Sequence, residues 1–181
     1  LELEPGDEVI VPSFTFVASV EVIALLGLKP IVVDVDPRTF LMKIEDIEAS
    51  LSPRTKAIIP VHLFGQCVNM KALMAIAKNR DLYVIEDNAQ SIGARCVSPG
   101  DAKEMSGTIG HIGCTSFYPS KNLGCYGDGG LVTTNDDKLA DKIRVLRNHG
   151  SMQRYHHNVI GYNSRLDELQ AVILRIKLKH I

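Results

Sequence analysis

The sequence has no apolar run approaching the ~20 residues that span a membrane, so it offers no transmembrane helix. Charge imbalance is also missing: 20 Lys and Arg stand against 21 Asp and Glu, for a formal net charge of −1. Such a chain presents no bulk field to draw nucleic acid or an anionic membrane surface. Cysteine is sparse, with four residues at 67, 96, 114 and 125. No two form a C-x-x-C pair and none precedes histidines at zinc spacing, so no metal is expected. They read as reduced thiols of a cytoplasmic protein. Internal repeats and low-complexity tracts are absent as well, and no signal peptide is expected at the chain's opening. The chain opens on "LELEPGDEVIVPS", already running into a strand, which is the expectation for a segment of a longer protein.

What is present is the balance of an ordinary globular domain: 181 residues, 45% hydrophobic and 23% charged. Short apolar runs alternate with longer amphipathic segments. Strands are expected over 8–12 (EVIVP), 30–36 (PIVVDVD), 56–62 (KAIIPVH), 82–87 (LYVIED), 112–117 (IGCTSF) and 129–134 (GGLVTT). Helices are expected over 16–27, ended by Gly27, and over 43–52, 70–80 and 136–150, the last stopped by Gly150; a final helix begins near Leu166. Residues 95–111 and 150–165 read as irregular. Strands that look buried on both faces and alternate with helices predict an α/β fold with a mainly parallel sheet flanked by helices.

Ligands of such sheets gather at the carboxyl ends of the strands. There the sequence places Asp34 and Asp36, His62, Glu86 and Asp87, and Ser116 followed by Lys121. Lys121 sits among small and hydroxyl-bearing residues in "CTSFYPSKNLGCYGDGG", where a ligand has room to approach. A lysine kept from water can act as a nucleophile toward a carbonyl; an ordinary solvated loop lysine is the alternative. Asp87 closes an apolar strand and needs a partner. The protonated ring nitrogen of pyridoxal phosphate is one such partner, and a helix cap or a salt bridge is another. Glu86 alternates to the other side of its strand, so Asp87 is preferred for the rim. Ser116 and Ser120 are hydroxyls near the lysine of the kind that hold phosphate. "GDGG" (127–130) reads first as a turn between strands. Phe16, expected to begin a helix, carries a ring that either stacks on a planar cofactor or joins the core.

Four separated stretches, "PSFTFVAS", "VIEDNAQSIGA", "TSFYPSKNLGCYGDGG" and "GYNSRLDELQA", follow one another in the order of one family. On them the chain resembles the DegT/DnrJ/EryC1/StrS family of pyridoxal-phosphate-dependent nucleotide-sugar aminotransferases, of the aspartate aminotransferase-like fold (fold type I). The resemblance implies roles position by position. Lys121 matches the lysine that bonds to the cofactor aldehyde and later shuttles a proton. Asp87 matches the carboxylate beside the ring nitrogen. Gln90 matches the residue at the cofactor's phenolic oxygen or ring face, Ser116 a hydroxyl on its phosphate, and Phe16 the aromatic ring stacked on the pyridine. Asn163 matches an asparagine that reaches the phosphate in the neighbouring subunit, so a homodimer with shared sites is implied.

The resemblance also implies that residues 1–181 are an incomplete cofactor-binding large domain. Family members carry a preceding segment with a phosphate-holding loop and a smaller C-terminal domain. The implied reaction moves an amino group, with L-glutamate the expected donor, to a keto sugar on a nucleotide, in making amino sugars for surface polysaccharides or natural products. A sugar dehydratase of the same family is the near alternative, but those carry histidine in place of the lysine. A non-catalytic regulatory protein is the distant one, and the intact Lys121, Asp87 and Gln90 set speaks against it. His149, Arg154, Tyr155, His156 and His157 are candidates for the substrate side. The "RYHH" stretch resembles members acting on 3-keto sugars, uronates included; a mobile polar loop is the alternative.

Overall fold

Residues 8–12, EVIVP, are buried along their whole length because β1 (Glu8–Pro12) lies inside a sheet and both its faces are covered. This computed structural model describes residues 1–153 and 155–181. The remaining strands are β2 (Lys29–Val33), β3 (Thr55–Ile58), β4 (Tyr83–Asp87), β5 (Arg95–Val97), β6 (Lys103–Met105), β7 (Ile112–Ser116), β8 (Gly130–Thr133), β9 (Ser151–Gln153) and β10 (His156–His157). Helices are α1 (Ala18–Leu25), α2 (Ile44–Ala49), α3 (Met70–Arg80), α4 (Asp137–Leu146) and α5 (Glu168–Lys177). The main sheet runs β2-β1-β3-β4-β7-β8. All its neighbours are parallel except β8, which returns antiparallel to β7.

Period-two alternation divides the core between the two faces of the sheet. Val9, Val11, Ala57 and Ile59 face one side and pack with Ile23 of α1, joined by the partly buried Tyr83 and Ile85. Ile10, Ile58 and Val84 face the other, against Ile47 of α2 and Met70, Leu73 and Ala77 of α3. Each such aliphatic side chain contributes on the order of 1.5–3 kcal/mol when fully buried. The helix over 70–80 forms where its sequence predicts it. Asn69 caps it by accepting from the Ala72 amide at 3.1 Å, and its apolar positions recur on one face.

Three expectations need correcting. β2 is an edge strand and is not buried on both faces: Val32 is 54% exposed. A run of β-branched residues satisfies edge and interior positions alike. Helix α1 begins at Ala18, so Phe16 precedes it. The two irregular stretches each contain a small antiparallel hairpin, β5–β6 and β9–β10. Their strands are three residues or shorter and mostly exposed, too brief to print a periodicity on the sequence.

Candidate active site

The loop that carries Lys121 is anchored at both ends. Phe117, Leu123 and Cys125 form a small buried cluster with Leu174 of α5. Backbone bonds from Phe117 N–H to Gly129 and from Cys125 N–H to Phe117, both 2.8 Å, close its base. Helix α5 adds two ties: Lys177 Nζ donates to the Gly124 carbonyl at 2.5 Å, and Gln170 Oε1 accepts from the Tyr126 amide at 2.7 Å. A side chain at Gly124 would collide with the Pro119 carbonyl, so glycine lets the loop fold back on itself. Between these anchors the half-buried Lys121 makes no ion pair or side-chain hydrogen bond among the described residues. It lines a cavity of about 490 Å³ together with Phe64, Gly65, Gln90, Ser91, Ile92, Ala94, Ser120 and Asn122.

Strand β4 delivers two carboxylates to opposite faces. Asp87 shares a face with Tyr83 and Ile85, the face that α1 covers. There Ser19 of α1 donates to Asp87 Oδ2 at 2.7 Å, and the Ala89 amide donates to Oδ1 at 3.0 Å. Ser19 N–H in turn bonds the Phe16 carbonyl, so Phe16 and Asp87 are joined through one residue. The Phe16 ring itself is 73% exposed and belongs to no core cluster. On the strand ladder Asp87 pairs with Cys114, which puts Ser116, two residues on, on the same face at the end of the adjacent strand. Cys114 is exposed, but atoms crowding its sulfur and then the negative Asp87 push its thiol up to about 11.

Glu86 and His62 do not reach the rim. Both are fully buried on the other face, with His62 Nε2 at 2.8 Å from Glu86 Oε2. The Val68 amide donates to His62 Nδ1, which leaves the proton of a neutral ring on Nε2 to be donated to Glu86. Amides of Gly107, Ile109 and Gly110 complete the carboxylate's shell at 2.6–2.8 Å. Burial raises the affinity of Glu86 for a proton. The His62 bond and the Gly110 and Gly107 amides outweigh it and hold the carboxyl below its usual range. The pair therefore pins the 107–110 loop beneath the sheet. Asp34 and Asp36 are also spent locally, on Ser13 and Val35 and on the turn at Arg38 and Thr39.

Of the sequence candidates, Gln90 lines the Lys121 cavity; Asp87, Ser116 and Phe16 are not among its lining residues, and the others lie apart from it. Asn163 is exposed, forms an isolated bridge with Asn148 and lines a separate groove with Asn148 and Arg165. His149, at φ 57°, accepts a bond on its carbonyl from His157 Nδ1 at 2.8 Å, which holds the β9–β10 hairpin against the end of α4. Tyr155 and His156 are exposed on that hairpin. Arg154 lies outside the described residues. Sequence reasoning missed Ser19 and Phe64. Ser19 carried the signal of a hydroxyl in the first turn of a helix that starts beside a strand end. Phe64 carried none.

The reading of four reduced thiols is also corrected. Cys67 and Cys96 form a disulfide with Cα atoms 5.4 Å apart, and Cys114 and Cys125 remain free. A spacing of 29 residues does not announce a pair; the loops after β3 and β4 bring the two together. His62 lies close enough that one ring nitrogen and the two sulfurs fall within 4.8 Å of one another. The sulfurs are bonded to each other and both ring nitrogens are hydrogen-bonded, so these atoms are already committed.

The residues present fit a phosphorylated pyridine aldehyde. Lys121 offers an uncommitted amine, and Gln90 uses only its carbonyl oxygen, on the Phe64 amide at 3.1 Å. Ser116 Oγ accepts from Tyr118 N–H and keeps its own proton to donate. Asp87 is oriented by two donors and retains acceptor capacity.

A mainly parallel sheet flanked by helices is the architecture of a fold type I transferase. The chain belongs to the DegT/DnrJ/EryC1/StrS aminotransferase family, which it matches over residues 1–181. It is 57% identical over 181 residues to a UDP-N-acetyl-3-dehydro-alpha-D-glucosamine 3-aminotransferase of Acidithiobacillus ferrooxidans, covering 100% of this chain and 48% of that protein. It is 54% identical over 179 residues to the UDP-2-acetamido-2-deoxy-3-oxo-D-glucuronate aminotransferase of Pseudomonas aeruginosa, covering 99% and 48%. Among solved structures it superposes on NtdA of Bacillus subtilis with bound cofactor PMP, at TM-score 0.88 and 36% identity, over 99% of this chain and 40% of that one. The chain thus spans about half the length of the curated relatives it matches. Among the described residues no helix is long and apolar enough to cross a membrane.

Proposed function

We propose that residues 1–181 form the cofactor-binding large domain of a pyridoxal-phosphate-dependent aminotransferase, which moves an amino group from an amino acid, L-glutamate first, to a nucleotide-linked keto sugar. The observation that carries this reading is a single cavity shared by Lys121 and Gln90. Asp87 and Ser116 share one face at two neighbouring strand ends, and Gln90 follows Asp87 by three residues. The names of the two relatives, both acting on UDP sugars with an oxo or dehydro group at carbon 3, favour a 3-keto sugar. The bound PMP of the B. subtilis protein supports the choice of cofactor.

Pyridoxal phosphate, when bound, supplies an aldehyde that takes up an amine and a ring that accepts the electron pair left behind by a departing proton. This chain's residues do the rest. Lys121 Nζ is the amine that would hold the aldehyde, and when freed it would serve as the general base and acid that moves a proton. Asp87, steadied by Ser19 and Ala89, would pair with the ring nitrogen and keep its proton in place. The Ser116 hydroxyl, whose proton is uncommitted, would donate to the phosphate. Gln90, held by the Phe64 amide, would serve the ring or its phenolic oxygen, and Phe16 would supply a stacking ring. A lysine at 121 favours amination over dehydration, for which the family uses histidine.

The same reading includes a homodimer in which Asn163 serves the neighbouring subunit's site, a substrate side built from residues 149–157, and a cytoplasmic setting. It is tested with the full-length protein, L-glutamate and a pair of UDP sugars bearing the ketone at carbon 3 or carbon 4. Product mass identifies the amino sugar and 2-oxoglutarate release confirms the donor. Failure of both sugars, with cofactor bound, overturns the assignment of substrate class.

A further inference from the structure

The Lys121 cavity has three walls, and two of them are covalently joined below the opening. Phe64 and Gly65 come from the loop after β3, while Gln90, Ser91, Ile92 and Ala94 come from the loop after β4. The Cys67–Cys96 disulfide ties the first of these loops to strand β5, which follows the second, three residues beyond Phe64 and six beyond Gln90. One further cross-link is the hydrogen bond from Phe64 N–H to Gln90 Oε1. Phe64 stands at φ 53°, a left-handed conformation that a non-glycine residue keeps only where its surroundings hold it.

The two sulfurs are not equivalent. Cys67 is half-buried, whereas Cys96 is 1% exposed and packs among Ile10, Val33 and Leu73. An incoming thiolate therefore reaches Cys67 Sγ first. We propose that Cys67–Cys96 is a reversible thiol–disulfide couple, modified at Cys67 by a small thiol of the glutathione class, and that its redox state governs how firmly the Phe64–Gln90 wall of the cavity is held. In a reducing compartment disulfides are usually transient and sensing, which agrees with the cytoplasmic setting proposed above.

The chemistry balances without further reactants. The thiolate of one small thiol attacks Cys67 Sγ, the Cys67–Cys96 bond breaks, and Cys96 leaves as a thiolate that takes a proton. A second small thiol, as thiolate, then attacks the sulfur of the bound one. This frees Cys67, which also takes a proton, and releases the oxidised disulfide of the small thiol. Two electrons enter the protein pair and two leave the small thiols.

The full-length protein is equilibrated with reduced and oxidised glutathione at graded ratios, with a chelator present so that no metal masks the freed donors. Differential alkylation and mass spectrometry then report Cys67 and Cys96 separately. Both should titrate together with one midpoint, and mixed disulfide with glutathione should appear on Cys67 and not on Cys96. Hydrogen exchange of amides 63–68 should speed up roughly tenfold or more on reduction, as expected when a local segment loosens. Cys96→Ser should exchange fast in every buffer and accumulate glutathione at Cys67. Two thiols that stay fully alkylatable in oxidising buffer, or a disulfide that survives excess dithiothreitol, overturn the couple. Unchanged exchange at 63–68 overturns its hold on the cavity wall. None of these readouts needs bound cofactor or turnover, so the couple can stand if the aminotransferase reading fails, and can fail if that reading stands.

Discussion

Ser19 and Asp87, distant in sequence, meet through a 2.7 Å hydrogen bond from the serine hydroxyl to the aspartate Oδ2. The bond joins the first turn of α1 to the end of β4 and fixes which way the carboxylate looks. A hydrogen bond to a charged group is worth about 1.5–3 kcal/mol. If Asp87 must face a ring nitrogen, Ser19→Ala should lower kcat/KM by roughly tenfold to a hundredfold. Ser19→Thr, which keeps the hydroxyl, should restore most of it. Cofactor spectra of both variants check that the loss lies in orientation and not in folding.

Glu86 predicts an acid-sensitive core. Its folded-state carboxyl lies below the usual range, so its stabilising contribution is present above the unfolded value of about 4.3 and is lost as pH falls through the folded one. Urea unfolding measured against pH should show this loss in the wild type. Glu86→Gln should be less stable at pH 7 and lack that part of the acid limb. Glu86→Ala leaves His62 and three backbone amides unsatisfied, and should cost about 1–3 kcal/mol for each buried donor that finds no other partner.

Gly124 predicts a steric limit on the lysine loop. Gly124→Ala forces the loop apart at Pro119 and should cost about 1–3 kcal/mol, the usual range for overpacking. The shift in urea midpoint measures it. Loosening of the loop should also show as faster hydrogen exchange over 118–124, with the sheet amides unchanged.

Asn163 lies outside the Lys121 cavity, which suits a residue serving another subunit. Mixing Lys121→Ala and Asn163→Ala subunits of the full-length protein should then rebuild one intact site per mixed dimer. Random exchange makes about half of the dimers mixed, so activity should recover to roughly a quarter of wild type. No recovery after demonstrated subunit exchange would place Asn163 in its own subunit's site.

Much of this arrangement was legible in the residues. Alternation along "LYVIED" placed Asp87 and Glu86 on opposite faces of the strand, and they lie so. Apolar spacing alone gave α3 its bounds, 70–80. What was hidden depends on partners remote in sequence. Nothing near His62 says that its ring is buried against Glu86, and nothing near Cys67 names Cys96. The short exposed hairpins were invisible because no core demands alternation from them. Ser19 could have been found, since a hydroxyl facing a strand end is the partner that a half-buried carboxylate needs.

The central claim is that the amine of Lys121 bonds to the cofactor's aldehyde. Borohydride reduction of the full-length protein with pyridoxal phosphate, followed by peptide mass spectrometry, tests it directly. The account predicts a single pyridoxyl group on the peptide carrying Lys121, absent from Lys121→Ala. A pyridoxyl group on another lysine, or none in protein that binds the cofactor, would contradict it.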